Sequence, residues 1–561
     1  MPPIVLPITS RGLAVTDRLC WVVLGAAMVV AAGVILYLNR GTTFFPDELN
    51  FVYATPGLGV GDVLEPRNGH LVGTPQLVYA ALLETVGADY VAFRVSAVAV
   101  LLASVALFYA LAKRRIGFLP ALAPSLVLLF YGSAWQHILV PVGFTVIFCI
   151  SSGLAALLAV ERGDRRGDIA ACVFVALSIF TFSTGLAFLV GIAISVLVRP
   201  DRIRRGWIFL VPLALFAVWW MWSLGVDQSS EQSTRYENVL LLPNWVADSL
   251  AAVTSGLAGL AYDFSNPPFI ELGWGRVLAA LAVVALVVRI KRGSVPPILW
   301  ASLGVVLTYW ALGALAAGTT ARAPYAVRYM YTGAIGVLLV ATAAAGIVRF
   351  SRLGLVALFA VAALSITTNL AFLRDGGTLF RNQYSAPTRT QFAMIELARD
   401  RVEPGYDPGL EFPEQSQALS PAATYLDVVD AYGSPAFSLA EVDRQSEGVR
   451  EYADLVLASA LDLRLQPSHS GRSGADCETV SAQAPGGAIG FALPSGGATL
   501  RVRGPASSEL TVGRFASAAP AELGKIAPGE AMTLVIPPDD SPKAWHASVA
   551  GARSVEICGL D

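Results

Sequence analysis

The chain has 561 residues, of which 55% are hydrophobic and 14% charged, and its mean hydropathy is +0.61. That balance excludes an ordinary soluble domain and fits an integral membrane protein. The formal net charge of −2 supplies no global field that would attract nucleic acid, so any electrostatic function must come from local placement.

The first apolar run, residues 20–38, follows Arg11 and Arg18 as a secretory signal would. It is about 19 residues long, beyond a signal h-region and enough to span a bilayer, so it reads as an uncleaved first transmembrane helix. Further apolar runs follow at residues 91–112, 119–135, 140–160, 169–198, 206–224, 274–290, 295–317, 329–348 and 353–373. The clusters at residues 113–115, 162–166, 199–205, 289–292 and 349–352, with the N-terminal arginines, hold 17 basic residues. The opposite segments hold Arg40, Arg67, Arg235, Arg322 and Arg328, with Arg94 and Arg276 at helix ends. Lys/Arg-rich loops face the cytoplasm, which places the N-terminus inside. The run 169–198 has basic clusters at both ends, and reading it as a short hairpin turning at Ser183-Thr184-Gly185 restores the alternation. The expected fold is therefore a polytopic α-helical membrane protein of about 11 transmembrane helices, spanning residues 1–373, with everything after Leu373 extracytoplasmic.

Two outer loops, residues 39–90 and 225–273, are long for connectors and rich in acids, and long ordered loops are commonly functional. Residues 374–480 read as a linker with helices near 388–402 and 422–431. Residues 481–561 carry short alternating strands between Gly/Pro turns, the pattern of a β-sandwich or jelly roll ending an α+β region. Cys20, Cys149 and Cys172 lie in apolar runs as packing residues, whereas Cys477 and Cys558 bracket the sandwich on the expected outer side and are expected to form a disulfide. Only four basic residues are Lys, which fits a GC-rich bacterial genome, and no Asn-x-Ser/Thr sequon occurs.

The spans hold almost no ionisable groups, whereas proton-coupled transporters and pumps need them at mid-membrane depth. Charge collects instead where helices emerge outside: Asp47 and Glu48 in "FFPDELNF", Arg67 and His70 in "EPRNGHLVGTP", Arg94, His137, Arg276, and Arg322 and Arg328 in "ARAPYAVRYMY". Arg94 and Arg276 read as snorkelling anchors, and His137 beside Trp135 as aromatic-belt packing.

An acidic pair just beyond helix one resembles the motif of GT-C membrane glycosyltransferases, the superfamily of protein O-mannosyltransferases, the lipid A aminoarabinose transferase and mycobacterial arabinosyltransferases. "NGHL" and "VRYMY" resemble elements of its polyprenyl-phosphate-using members, and an outer C-terminal sandwich is similar to the arabinosyltransferase arrangement. The resemblance implies a sugar donor on a polyprenyl phosphate and a cell-wall glycan, lipid or protein acceptor, reached from a bacterial plasma membrane. It implies Asp47 and Glu48 as catalytic acids, with Asp47 the general base toward an acceptor hydroxyl and inversion at the anomeric carbon. It implies Arg328, Arg322 and His70 at the departing phosphate. No cofactor is expected: no second acidic pair indicates a divalent metal, though some relatives use one. The sandwich reads either as a carbohydrate binder through Trp545 and His546 or as a stabilising cap. The rival functions are a lipid or polysaccharide flippase, which needs a polar path through the spans, and a non-catalytic envelope scaffold.

Overall fold

A computed structural model of the chain describes residues 16–226, 236–263, 266, 269–293, 295–317, 322–346, 348, 350–416, 418–468, 477–482, 484, 487–539 and 541–559. Arg11, Arg235 and the basic position 349 lie outside the described residues. The chain divides into two compact units, one holding Met1–Arg40, Gly57–Thr85 and Val91–Phe380, the other Gly41–Pro56, Val86–Tyr90 and Arg381–Asp561.

In the first unit a helix stands at each expected apolar run. In chain order these are Asp17–Leu38, Tyr90–Ile116, the bent pair Phe118–Leu129 and Gly132–Leu139, Gly143–Val160, Arg165–Thr181 and Gly185–Leu197. Trp207–Ser223, Gly273–Lys291, Pro297–Leu315, Val327–Ala345 and Arg352–Leu379 complete them. Polar residues at the water boundary set several of the starts. Thr16 accepts a hydrogen bond from the Leu19 amide, Asp164 from Gly167 and Ser351 from Gly354, each satisfying a donor that the first helical turn leaves open.

Among the described residues, seven helices are long and apolar enough to cross a membrane, or eight if the bent pair is one span. This is a multi-pass membrane protein. The other three helices, Arg165–Thr181, Gly185–Leu197 and Trp207–Ser223, have 17, 13 and 17 residues. At about 1.5 Å per residue they fall short of a hydrocarbon core of about 30 Å, so length alone does not count them among the expected 11. The expected turn at Ser183-Thr184-Gly185 is a break in which Phe182 is extended and the next helix starts at Gly185.

The bend at residues 130–132 has a specific cause. A Cβ on Gly132 would collide with the Asn369 carbonyl oxygen, so the broken segment and the helix Arg352–Leu379 meet backbone to backbone. The buried Asn369 side chain then closes the freed polar groups. Its Oδ1 accepts from the Ser133 amide at 2.8 Å and hydroxyl at 2.9 Å, and its Nδ2 donates to the carbonyls of Gly256 at 3.0 Å and Ser365 at 2.9 Å.

The second unit combines helices with two antiparallel sheets. Its helices include Pro46–Tyr53, Ala386–Leu397, Ala422–Tyr432 and Glu447–Ala460. The strands are β1 (Leu465–Pro467), β2 (Cys477–Ser481), β3 (Ile489–Ala492), β4 (Gly497–Arg503), β5 (Ser508–Gly513), β6 (Ala521–Ile526), β7 (Ala531–Val535), β8 (His546–Ala550) and β9 (Ser554–Gly559). They pair in the orders β1-β7-β4-β9-β2 and β3-β8-β5-β6. Alternate residues point inward, as a half-buried strand requires: Leu500 and Val502, Leu510 and Val512, Ala547 and Val549, Val555 and Ile557 are all buried in one core. The helix Glu447–Ala460 adds Val449, Tyr452, Ala453, Val456 and Leu457, a stripe at helical spacing, and most of it joins the same core. Cys477 sits directly opposite Cys558 across β2 and β9, and the two are disulfide-bonded.

Replacing Asn369 with Leu keeps the volume but leaves buried donors and acceptors open. The variant is expected to lose about 1–2 kcal/mol of stability, read as a lowered unfolding midpoint in detergent, whereas Thr367→Val on the exposed face should change little.

Candidate functional site

In the first unit the segment "RNGH" is a tight two-residue turn. Asn68 and Gly69 have φ of +52° and +73°, a pair of left-handed residues of the kind Asn-Gly favours. Arg67 and His70 exchange backbone hydrogen bonds across it at 3.0 and 2.9 Å. The turn holds the His70 ring against Phe182, with centroids 4.4 Å apart, and its Nδ1 lies 2.8 Å from Ser183 Oγ. The break between two short helices thus supplies the histidine's partners.

Burial, with the Arg322 charge adding to it, pushes His70 down to about 4. His70 is therefore neutral at neutral pH, which corrects the expectation of a third cation: it can offer one N–H, and positive charge comes from the arginines. Arg322 donates to the Ala316 carbonyl at 2.9 Å, and Arg328 lies in the first turn of Val327–Ala345. The charges of both arginines act on Tyr329, and that of Arg328 also acts on His137. His70, Arg322 and Arg328 are thus brought into one electrostatic neighbourhood. Arg94 donates to the Asn39 carbonyl at 2.7 Å and ties the end of the first helix.

Leu64 and Leu71, on either side of the turn, line an apolar cavity of about 680 Å³ together with Ala176, Phe180, Pro212 and Trp219. Trp219 Nε1 donates to the Leu64 carbonyl at 2.7 Å, fixing the loop above the helix Trp207–Ser223. The volume lies within the range of small-molecule pockets, and the lining suits a hydrocarbon chain.

Asp47 and Glu48 belong to the second unit, where they occupy the first turn of Pro46–Tyr53. Phe45 is the N-cap and Pro46 opens the helix, a position where the missing N–H costs nothing. Asp47 is exposed, whereas Glu48 is wholly buried. Glu48 Oε2 accepts from the Phe45 amide at 2.7 Å, closing the helix start, and from the Tyr90 hydroxyl at 2.7 Å. Sequence reasoning missed Tyr90, which lies 42 positions away with no periodicity to connect it. Ser183 was noted only as part of a turn, and Phe182 not at all.

The sandwich departs from the carbohydrate-platform expectation. Trp545 is 2% exposed and packs in the sheet core, with the Arg514 guanidinium 4.7 Å over its ring, so no sugar can stack on it. Arg514 is itself buried and paired with Asp539 at 2.7 Å. Cys477, Glu556 and Cys558 group closely enough to suggest a metal, but the two sulfurs are bonded to each other and cannot serve as thiolate ligands.

No protein-family model and no curated protein matches the chain. Among solved structures it is similar to ArnT from Cupriavidus metallidurans in the apo state, with a TM-score of 0.44 and 13% identity, over 70% of this chain and 82% of that one.

His70 provides a pH test. An unfolded histidine takes its proton near 6.5 but the folded one only near 4, so as pH falls through that window the unfolded state gains a proton that the native state does not, and stability is lost. His70→Gln should flatten this part of the stability–pH curve. Parallel curves for the two proteins between pH 4 and 6.5 would show that His70 is not held neutral.

Proposed function

We propose that the chain is a membrane glycosyltransferase of GT-C type, moving a sugar from a polyprenyl-phosphate donor to an extracytoplasmic acceptor of the cell envelope by a single inverting displacement. The N-terminus is cytoplasmic, and residues 374–561 lie outside a bacterial plasma membrane. The observation that carries the reading is the apolar cavity bordered by the Arg67–His70 turn: a slot fit for a lipid tail lies beside a polar turn within reach of the Arg322 charge. The donor's tail occupies the slot and its phosphate meets Arg322, Arg328 and the His70 N–H. Arginine suits that role because its planar fork gives paired hydrogen bonds to phosphate.

Asp47 is the general base. Its carboxylate takes the proton of the acceptor hydroxyl as that oxygen attacks the anomeric carbon, the glycosyl–phosphate bond breaks, and polyprenyl phosphate departs with the bonding pair. The arginines stabilise the charge on the leaving phosphate where it develops. Among the described residues the spans hold few ionisable groups, which favours this reading over a flippase for a charged headgroup.

The test is transfer by the purified full-length protein from a panel of radiolabelled polyprenyl-phosphate sugars to envelope extracts. Asp47→Asn should lower turnover by about 10²-fold or more, the range general-base catalysis supplies, and undiminished transfer would remove the proposal. Ala176→Trp, which intrudes into the cavity, should raise the donor KM while leaving turnover at saturating donor largely intact.

A further inference from the structure

We infer that Glu48 and Tyr90 are positioning residues that fix Asp47, and that the frame holding them is built from the C-terminal part of the chain. The inference rests on the reading of Asp47 as the base.

A carboxylate with no exposure is costly unless its oxygens are occupied by donors. Glu48 Oε2 accepts from the Phe45 amide and the Tyr90 hydroxyl, each at 2.7 Å. Hydrogen bonds to an ionised acceptor are about twice as strong as neutral ones. The first bond closes the turn on which Asp47 sits, and Pro46 restricts the backbone just before it. Asp47 is thus held from both sides while its own side chain remains exposed.

Tyr90 is in turn seated by contacts within the second unit. The Ala88 amide donates to the Tyr432 carbonyl at 2.9 Å. Gly87 has a φ of +68°, and a Cβ there would lie 2.5 Å from the Tyr432 oxygen, so only glycine fits this approach. The Phe44 ring meets the Tyr90 ring edge-on at 4.8 Å. The far end of the helix Pro46–Tyr53 is pinned where the Tyr53 hydroxyl lies 2.6 Å from Ser420 Oγ, and the entry is pinned where the Thr43 amide donates to Ser385 Oγ at 3.2 Å. Each anchor, Tyr432, Ser420 and Ser385, lies in the chain after Arg381, so the segment carrying Asp47 folds with that part. A catalytic group must hold its productive geometry to within about 0.5 Å, and a chain of contacts from Tyr432 through Gly87 and Tyr90 to Glu48 is suited to that task.

The experiment compares kcat and donor KM in the full-length protein for Tyr90→Phe, Glu48→Gln, their double variant and Gly87→Ala, well below the unfolding midpoint of each. Tyr90→Phe leaves the cap to Phe45 in place and removes only the phenolic donor. A positioning clamp predicts a 10- to 100-fold fall in kcat with KM unchanged for Tyr90→Phe and Glu48→Gln. It also predicts a double variant no worse than the poorer single one, because both act through one contact. Gly87→Ala should show the same split from a distance. Should Glu48→Gln fail to fold, Tyr90→Phe decides alone. The inference is overturned if Tyr90→Phe keeps wild-type kcat while Asp47→Asn is inactive, or if its loss appears in KM. Full activity of Asp47→Asn would instead remove the function on which the inference stands.

Discussion

Hydrocarbon offers no hydrogen bonds, and the rest of this chain is arranged around that single lack. Backbone groups of the first unit are closed largely within helices, and some of its buried polar side chains serve the places where a helix stops. Asn369 does so at the bend after Phe130, taking on Ser133, Gly256 and Ser365 together. At the break after Thr181, the Gly185 and Leu186 amides turn back to the Phe182 and Ser183 carbonyls. Both irregular points are therefore ordered by internal partners, and the second supplies the hydroxyl that meets His70. The same lack drives ionisable chemistry to the helix ends, where Arg322, Arg328 and His70 share one neighbourhood.

What could be read from the sequence follows the range of the forces involved. Apolar runs located the helices at the expected spans, because burial in lipid depends on local composition, whereas Gly73–Val86 and Leu242–Ala258 are helices inside segments that read as outer loops. The caps Thr16, Asp164 and Ser351 also carry local signals, as does "RNGH", whose Asn-Gly turn needs nothing beyond its own backbone. The helix Glu447–Ala460 was equally legible through its apolar spacing, although helices were expected in that region only near 388–402 and 422–431. The long-range pairings were not legible: Glu48 with Tyr90, Asn369 with Ser133, Cys149 with Ser178. Trp545 shows the reverse error. An aromatic ahead of a polar strand suggested a platform, but the burial of a ring is decided by what folds over it, here Arg514 and the sheet core.

The electrostatics of the first unit divide labour between residues that sequence had grouped as equals. Arg322 helps to hold His70 neutral, so under the proposed function a donor phosphate would meet two arginines and one uncharged donor. That arrangement is less costly to keep empty than three charges in a partly buried loop would be, since like charges at short range repel most where water is scarce. It also leaves the histidine able to respond: an anion beside it offsets the arginine and favours the protonated ring. In the proposed reaction, a group held neutral at rest and drawn toward its charged form by negative phosphate would bind more strongly as charge accumulates on the departing oxygen, the differential that accelerates a step.

Asp47 and Glu48 are adjacent carboxylates made chemically unlike by position alone. In the first turn of Pro46–Tyr53, successive side chains diverge by about 100°, so one acid faces solvent when the other faces the interior. The inward one is held by Phe45 and Tyr90, and the outward one is exposed. Replacing Glu48 with an apolar residue could preserve the packing, as buried ions often allow, but it would release the first turn from Phe45. The buried acid closes the turn that carries its neighbour, and under the proposed function the acidic pair at this position would work as one functional group and its mount.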